Sequence, residues 1–224
     1  MFFILFISYQ SIIGQDNTIT KTNNLYREDQ FYFGITYNLL GKMPQDMSQN
    51  GFSSGFHLGF IRDMPINKSR TVSFGLGLGY STNSFNQNLL ISKDGQGMLN
   101  YEIIDGASFT KNKFSMHLVE IPFEFRWRTS TTDSYKFWRI YSGFKLGYVF
   151  TTTSKFSGSP QNIKLKNIDH FEKIQYGLTL SVGYNTLNAY LYYALNPIFK
   201  KEAKINDESI DINAIKIGLI FYIL

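Results

Sequence analysis

The stretch HLVEIPFEFRWR, His117–Arg128, decides the fold. Its odd positions from Val119 to Trp127 are apolar (Val119, Ile121, Phe123, Phe125, Trp127). Its even positions carry Glu120, Glu124, Arg126 and Arg128, with Pro122 between the two glutamates. Successive side chains of a β-strand point to opposite faces, so this period of two predicts a strand with one apolar and one charged face. The same alternation recurs outward in both directions. Phe31 to Leu39, Phe56 to Phe60, Val72 to Tyr80, Ile140 to Phe150 (Ser142 excepted), Tyr176 to Tyr184, Leu187 to Leu195 and Ile215 to Ile223 each place apolar residues at every second position. Eight strands follow, over 31–39, 52–62, 71–82, 114–128, 137–151, 171–184, 187–195 and 212–223. No stretch of useful length has a helical repeat.

Composition narrows the solvent. The 224 residues include 15 Tyr, 21 Phe, 18 Gly and no Cys, and only 17% are charged. The absence of Cys removes disulfides, thiolate metal sites and a Cys nucleophile. The net charge of +5 is scattered, not massed in a stripe, which argues against nucleic acid as a partner. A soluble barrel of lipocalin type would show the same alternation. Residue size decides between the two. The non-apolar faces are rich in Gly, Ser and Thr (Gly75, Gly77, Gly79; Gly177, Thr179, Ser181, Gly183), which suit a narrow interior. A water-facing exterior would favour Lys and Glu. Most strands reach the ~9–11 residues that cross a bilayer at a tilt. Short connections (63–70, 129–136, 185–186) alternate with longer ones (40–51, 83–113, 152–170, 196–211). The fold expected is therefore all-β, an eight-stranded antiparallel up-and-down transmembrane β-barrel of the outer membrane. Tyr37, Tyr80, Trp127, Trp138, Tyr148, Tyr184 and Tyr222 are the expected interfacial aromatics.

The domain division expected is a signal peptide over 1–14, a periplasmic segment over 15–30 and the barrel over 31–224. Residues 1–13, MFFILFISYQSII, resemble the apolar region of a secretory signal, but no basic residue precedes Lys21. That departure is consistent with a start upstream of Met1.

Eight strands enclose a lumen just wide enough for side chains, so a diffusion pore is not expected. If the apolar face meets lipid, Glu120, Glu124, Arg126 and Arg128 enter the lumen, joined by Arg139 and Lys145 from the next strand. Pairing residues that sum to 265 sets Glu120 opposite Lys145, and a two-residue slip sets Glu124 opposite Arg139. Either register gives a mixed charge network. Its expected role is a structural plug, with an ion path or proton relay as the rival. A bulge or break is expected at Pro122, which lacks the N–H a ladder needs. His57, His117 and His170 have no metal-like spacing, and no metal or other cofactor is expected. Asp94, Asp105, Asp169 and His170 fall in outer loops without a catalytic pattern, so the protein is not expected to be an enzyme.

The segment Val119–Phe150 carries E-I-P-x-E-x-R-W-R, a short Ser/Thr turn, then Y-K-F-W-R-I-Y-x-G-x-K-x-G-Y. It resembles the PorT family of Bacteroidota outer-membrane barrels over these roughly 30 residues, while the flanking strands agree only in barrel style. The resemblance implies an accessory role in the type IX secretion system, and in some gliding bacteria in motility, exerted through contacts rather than chemistry. By residue match it marks Glu120, Pro122, Glu124, Arg126, Arg128, Arg139 and Lys145. Partners expected are outer-membrane lipid, lipopolysaccharide and other type IX components, with oligomeric state left open. The alternative is a generic small OmpX/OmpA-like barrel serving adhesion or envelope integrity.

Overall fold

The computed structural model describes residues 29–105, 109–129, 137–159 and 161–223. The signal segment 1–14 and nearly all of 15–30 lie outside the described residues. In chain order the strands are β1 (Gln30–Gly41), β2 (Ser54–Pro65), β3 (Val72–Asn86), β4 (Leu89–Lys93), β5 (Leu99–Ile103), β6 (Phe109–Arg128), β7 (Trp138–Gly158), β8 (Ile163–Lys166), β9 (Ile174–Tyr184), β10 (Leu187–Ala194), β11 (Lys204–Ile205), β12 (Glu208–Ser209) and β13 (Asn213–Ile223). Eight of them close into a barrel in the order β1–β2–β3–β6–β7–β9–β10–β13, with β13 returning to β1, every pair antiparallel. Closure leaves no unpaired edge, which hydrocarbon surroundings demand.

Each barrel strand alternates exposed apolar residues with buried ones over its membrane-spanning part. Along β6 the exposed face is Val119, Ile121, Phe123, Phe125 and Trp127. These span about 27 Å of strand, or about 21 Å in height at a tilt of roughly 40°, most of the ~25 Å apolar band of a membrane barrel. Aromatic residues ring both ends of the band. Trp138 packs on Tyr184 at 5.5 Å near the short turns, and Tyr80, His117 and Phe150 cluster near the long loops. Tyr222 departs from its expected place in these rings. It is buried in the lumen, because its neighbours Phe221 and Ile223 hold the outer face of β13.

The short turns are chemically specified. Asn185 takes left-handed backbone (φ 57°) in the two-residue turn between β9 and β10. Asn67 ties the β2–β3 turn together, its amide accepting from Val72 N at 3.1 Å and donating to Thr71 Oγ1 at 2.8 Å.

The long loops are not simply polar. They carry the hairpins β4–β5 and β11–β12 and the added strand β8, and they bury an apolar core. Phe114, Phe171 and Phe199 lie at its centre, with Leu89, Ile91, Ile198 and Ile212 around them. The Phe171 and Phe199 rings are 4.6 Å apart, and Phe114 meets Phe199 edge-on at 5.6 Å. Tyr101 stacks on His170 at 5.8 Å in the same cap, where burial raises its phenol above the usual tyrosine range. To reach this cap, β3 runs on to Asn86, β6 starts at Phe109 and β7 continues to Gly158, each beyond its expected bound.

Two irregularities shape the lower part of β6, and a further register shift against β7 lies near its start, between Phe109 and Lys111. Opposite Pro122 the β3–β6 ladder lapses: pairing runs to Leu76↔Phe123 and resumes at Gly79↔Glu120 in the same register. Pro122 therefore breaks pairing without a bulge. The bulge falls five residues earlier, between His117 and Leu118, where β7 carries one extra residue (His117↔Thr151, then Leu118↔Val149).

Candidate functional site

The lumen below the cap is filled by charge and by tyrosine. Among the described residues five buried cations (Arg126, Arg128, Arg139, Lys145, Lys216) meet three buried carboxylates (Asp63, Glu120, Glu124). All six residues expected from the sequence point inward. The register that brings them together is neither of those expected. Residues of β6 and β7 pair with a sum of 267, so Glu120 faces Gly147, Glu124 faces Gly143 and Lys145 faces Pro122. Glu120 and Lys145 still meet, but diagonally, with Nζ donating to Oε2 at 3.1 Å.

Two clusters result. Near the short turns, Asp63 at the end of β2 takes both guanidinium groups. Arg128 donates to it through Nη1 at 3.0 Å and Nη2 at 2.8 Å, a two-pronged fit of fork to carboxylate, and Arg126 donates through Nη1 at 3.3 Å. Ser73 adds a hydroxyl at 2.7 Å. Arg126 also reaches Glu124 through Nε at 3.0 Å, and the Tyr222 hydroxyl donates to the other Glu124 oxygen at 3.4 Å. At mid-barrel, Glu120 is the hub. It accepts from Ser81 at 2.7 Å and Lys145 at 3.1 Å, and lies 3.6 Å from His57 Nδ1 and 4.0 Å from Lys216.

Among the described residues buried cations outnumber buried carboxylates by two, and aromatic faces lie against four of the five cations. Arg126 lies 4.7 Å over Tyr141, Lys216 4.7 Å over Tyr192, Lys145 5.1 Å over Tyr190 and Arg139 4.5 Å over Phe137. Arg139 joins no carboxylate among the described residues. Its Nε and Nη1 have no hydrogen-bond partner there, so the Glu124–Arg139 pair expected from one register is not formed.

The glycines opposite these groups are spacers. A Cβ on Gly75 would lie 2.7 Å from Arg126 Nε, and one on Gly79 would strike the Tyr32 hydroxyl. The sequence showed these as small lumen residues. What they make room for is large, not empty. The void beside Glu120, Lys145 and Lys216 measures about 10 Å³, the space of a single water-sized sphere. Among the described residues a charged knot fills the lumen toward the turn end and an apolar cap lies over it at the loop end.

Asp63, His57, Lys216 and the tyrosines were not singled out in the sequence as members of this site. Asp63 had a signal: it continues the odd, inward-facing series His57, Gly59, Ile61 one step past the point where the strand was taken to stop. His117 lies on the outer face, its Nδ1 2.6 Å from the Tyr80 hydroxyl. In the loops Asp94 accepts from the backbone of Gln96 and Met98 and so serves a turn.

Residues 13–200 match the family described as outer membrane protein beta-barrel domain. The chain belongs to that family. This outer-membrane barrel is also similar to two crystal structures of Ail, the attachment invasion locus protein of Yersinia pestis, one of them in complex with the heparin analogue sucrose octasulfate. Identity is 12% and 10%, the match covers 89% of this chain and 100% of the other, and the TM-score is 0.38 in both. No curated protein matches the chain in sequence. Its place is the outer membrane, with the lipid band outside and the plug within.

Proposed function

We propose that this outer-membrane barrel supports type IX protein secretion as an accessory component of PorT type, acting through protein contacts rather than through conduction or catalysis. The closed lumen carries the second half of this reading. A channel filled by Arg126, Tyr141, Tyr190, Tyr192, Lys145 and Lys216 passes neither cargo nor solute, so its outer loops, its turns and its lipid-facing wall are the surfaces left to act. The resemblance over Val119–Phe150 supports the first half. The geometry gives the charged residues of that segment a consistent task, since Glu120, Glu124, Arg126, Arg128 and Lys145 knit the plug and hold the barrel shut. The test is secretion of a cargo bearing a C-terminal sorting domain in a strain lacking the gene. Cargo held in the periplasm and released on complementation supports the proposal. Normal secretion overturns it and leaves the generic OmpX/OmpA-like role in adhesion or envelope integrity, which the extended β6–β7 hairpin above the membrane band would suit.

A further inference from the structure

Above the outer aromatic ring, three lysines stand side by side on three neighbouring strands. Lys113 of β6 pairs with Lys155 of β7, and Lys155 pairs with Lys164 of β8. Cβ atoms of directly opposed residues lie ~4.5–5.5 Å apart, and like charges there destabilise a sheet. Lys111 and Lys166, each two residues along its strand, extend the row on the same face. The charged neighbours of Lys113 are Lys111 and Lys155, both of its own sign. None of the five ammonium groups forms an ion pair with a carboxylate among the described residues. Lysine on an exposed strand edge keeps other strands from adding to it. That accounts for Lys164 and Lys166 on β8, but Lys113 and Lys155 sit inside the sheet.

The row faces outward, not into the barrel. In β6 the odd positions stay outward from Trp127 up through His117 and Ser115 to Lys113. In β7 the even positions are outward as far as Phe150, and beyond the bulge the odd ones are. The extra residue thus turns Lys155 to the same side as Phe150 while Thr152, Ser154 and Phe156 turn into the cap. Lys155 is five residues past Phe150, about 17 Å along the strand and roughly 12 Å in height at the tilt of a membrane barrel. That height is above the head-group layer, which is about 5–7 Å thick, and the long lysine stems can lie back along the wall to bring their ammonium groups down to the phosphates of the anionic outer-leaflet lipid. On the β8 side the row opens into a cleft of about 490 Å³, where Lys93, Lys164 and Lys166 face one carboxylate among the lining residues, Asp169.

We propose that Lys113, Lys155 and Lys164 form a binding site for the phosphate groups of lipopolysaccharide lipid A at the boundary between barrel and lipid. A bridging phosphate converts a row of mutual repulsion into a shared ion cluster. The surrounding threonines and serines (Thr151, Thr153, Ser115) leave the head group open access from the bilayer side. The site stands apart from the secretion role, and its test involves no secretion.

The experiment uses the purified full-length barrel in nanodiscs, with phosphorylated or dephosphorylated lipid A as the probe. The variant Lys113→Gln/Lys155→Gln/Lys164→Gln is compared with Lys42→Gln/Lys68→Gln/Lys201→Gln, which removes the same charge from exposed positions elsewhere. Wild type and the control variant should bind phosphorylated lipid A about tenfold more tightly than the site variant, the worth of three exposed ion pairs. Dephosphorylated lipid A should abolish the difference. Without lipid A the site variant should melt at or above wild type, since like charges are gone. Equal binding of phosphorylated lipid A by all three proteins overturns the proposal, as does lower melting of the site variant in lipid free of lipid A. Displacement of lipid A by low-millimolar inorganic phosphate makes the row a site for free anions and overturns the lipid assignment.

Discussion

Asp63 is the residue on which the turn-end knot depends. It is fully buried and accepts hydrogen bonds from two guanidinium groups, those of Arg126 and Arg128. Removing one partner of a buried ion pair leaves the other charge uncompensated, at a cost of about 3–5 kcal/mol. Asp63→Asn should therefore lower the stability of the refolded barrel by that order, read as a drop in the urea midpoint of its heat-modifiable gel mobility. Equal midpoints for variant and wild type would mean that the knot contributes nothing. Glu124→Ala should likewise cost more than Thr179→Ala, because the first strips a carboxylate from Arg126 and Tyr222. The second removes only a hydroxyl and a methyl group, about 1 kcal/mol. Equal unfolding of these two would remove Glu124 from the network.

At the scale of elements, the bulge between His117 and Leu118 divides the β6–β7 hairpin into two parts with different tasks. Below it the hairpin faces lipid on one side and the charged lumen on the other. Above it the inward face belongs to the apolar cap. Without the extra residue in β7, Lys155 would point into Phe114 and Phe171 and Ser154 would point out. The native chain has no cysteine, so single cysteines report this directly. In detergent-purified protein, Lys155→Cys should react rapidly with a polar maleimide, and Ser154→Cys should stay protected until the protein unfolds. Equal labelling at both positions would contradict the parity switch.

For the whole molecule, the lumen and the cap are two cores of opposite chemistry stacked along one axis. The cap is water-side and apolar, so it obeys the energetics of a soluble core. Phe199→Ala should cost about 3–5 kcal/mol there. The expected readout is new protease cleavage in the outer loops while the membrane band keeps its heat-modifiable mobility, and loss of both together would show that cap and barrel fold as one unit. The lumen is closed by matter rather than by a gate. Planar bilayers containing the protein should show no steady conductance, and a stable open channel would be incompatible with a filling of buried tyrosine and arginine.

What the sequence determined by itself was the face of the barrel residues below the bulge, Tyr222 excepted. Period-two alternation needs only neighbours along the chain, so strand number, inward charges and outward aromatics were all legible in it. Tyr222 was misread only where its position at a strand end was weighed above its parity. Register was not legible. A slip of two residues keeps every side chain on its face, so sums of 265 and 267 are equivalent to the pattern and only pairing around the closed barrel chose between them. The bulge, the gathering of Asp63, His57 and Lys216 around charges on distant strands, and the apolar cap were decided by tertiary structure. Each depends on which residues of separate segments meet once the ring is closed, and that contact has no period along the chain.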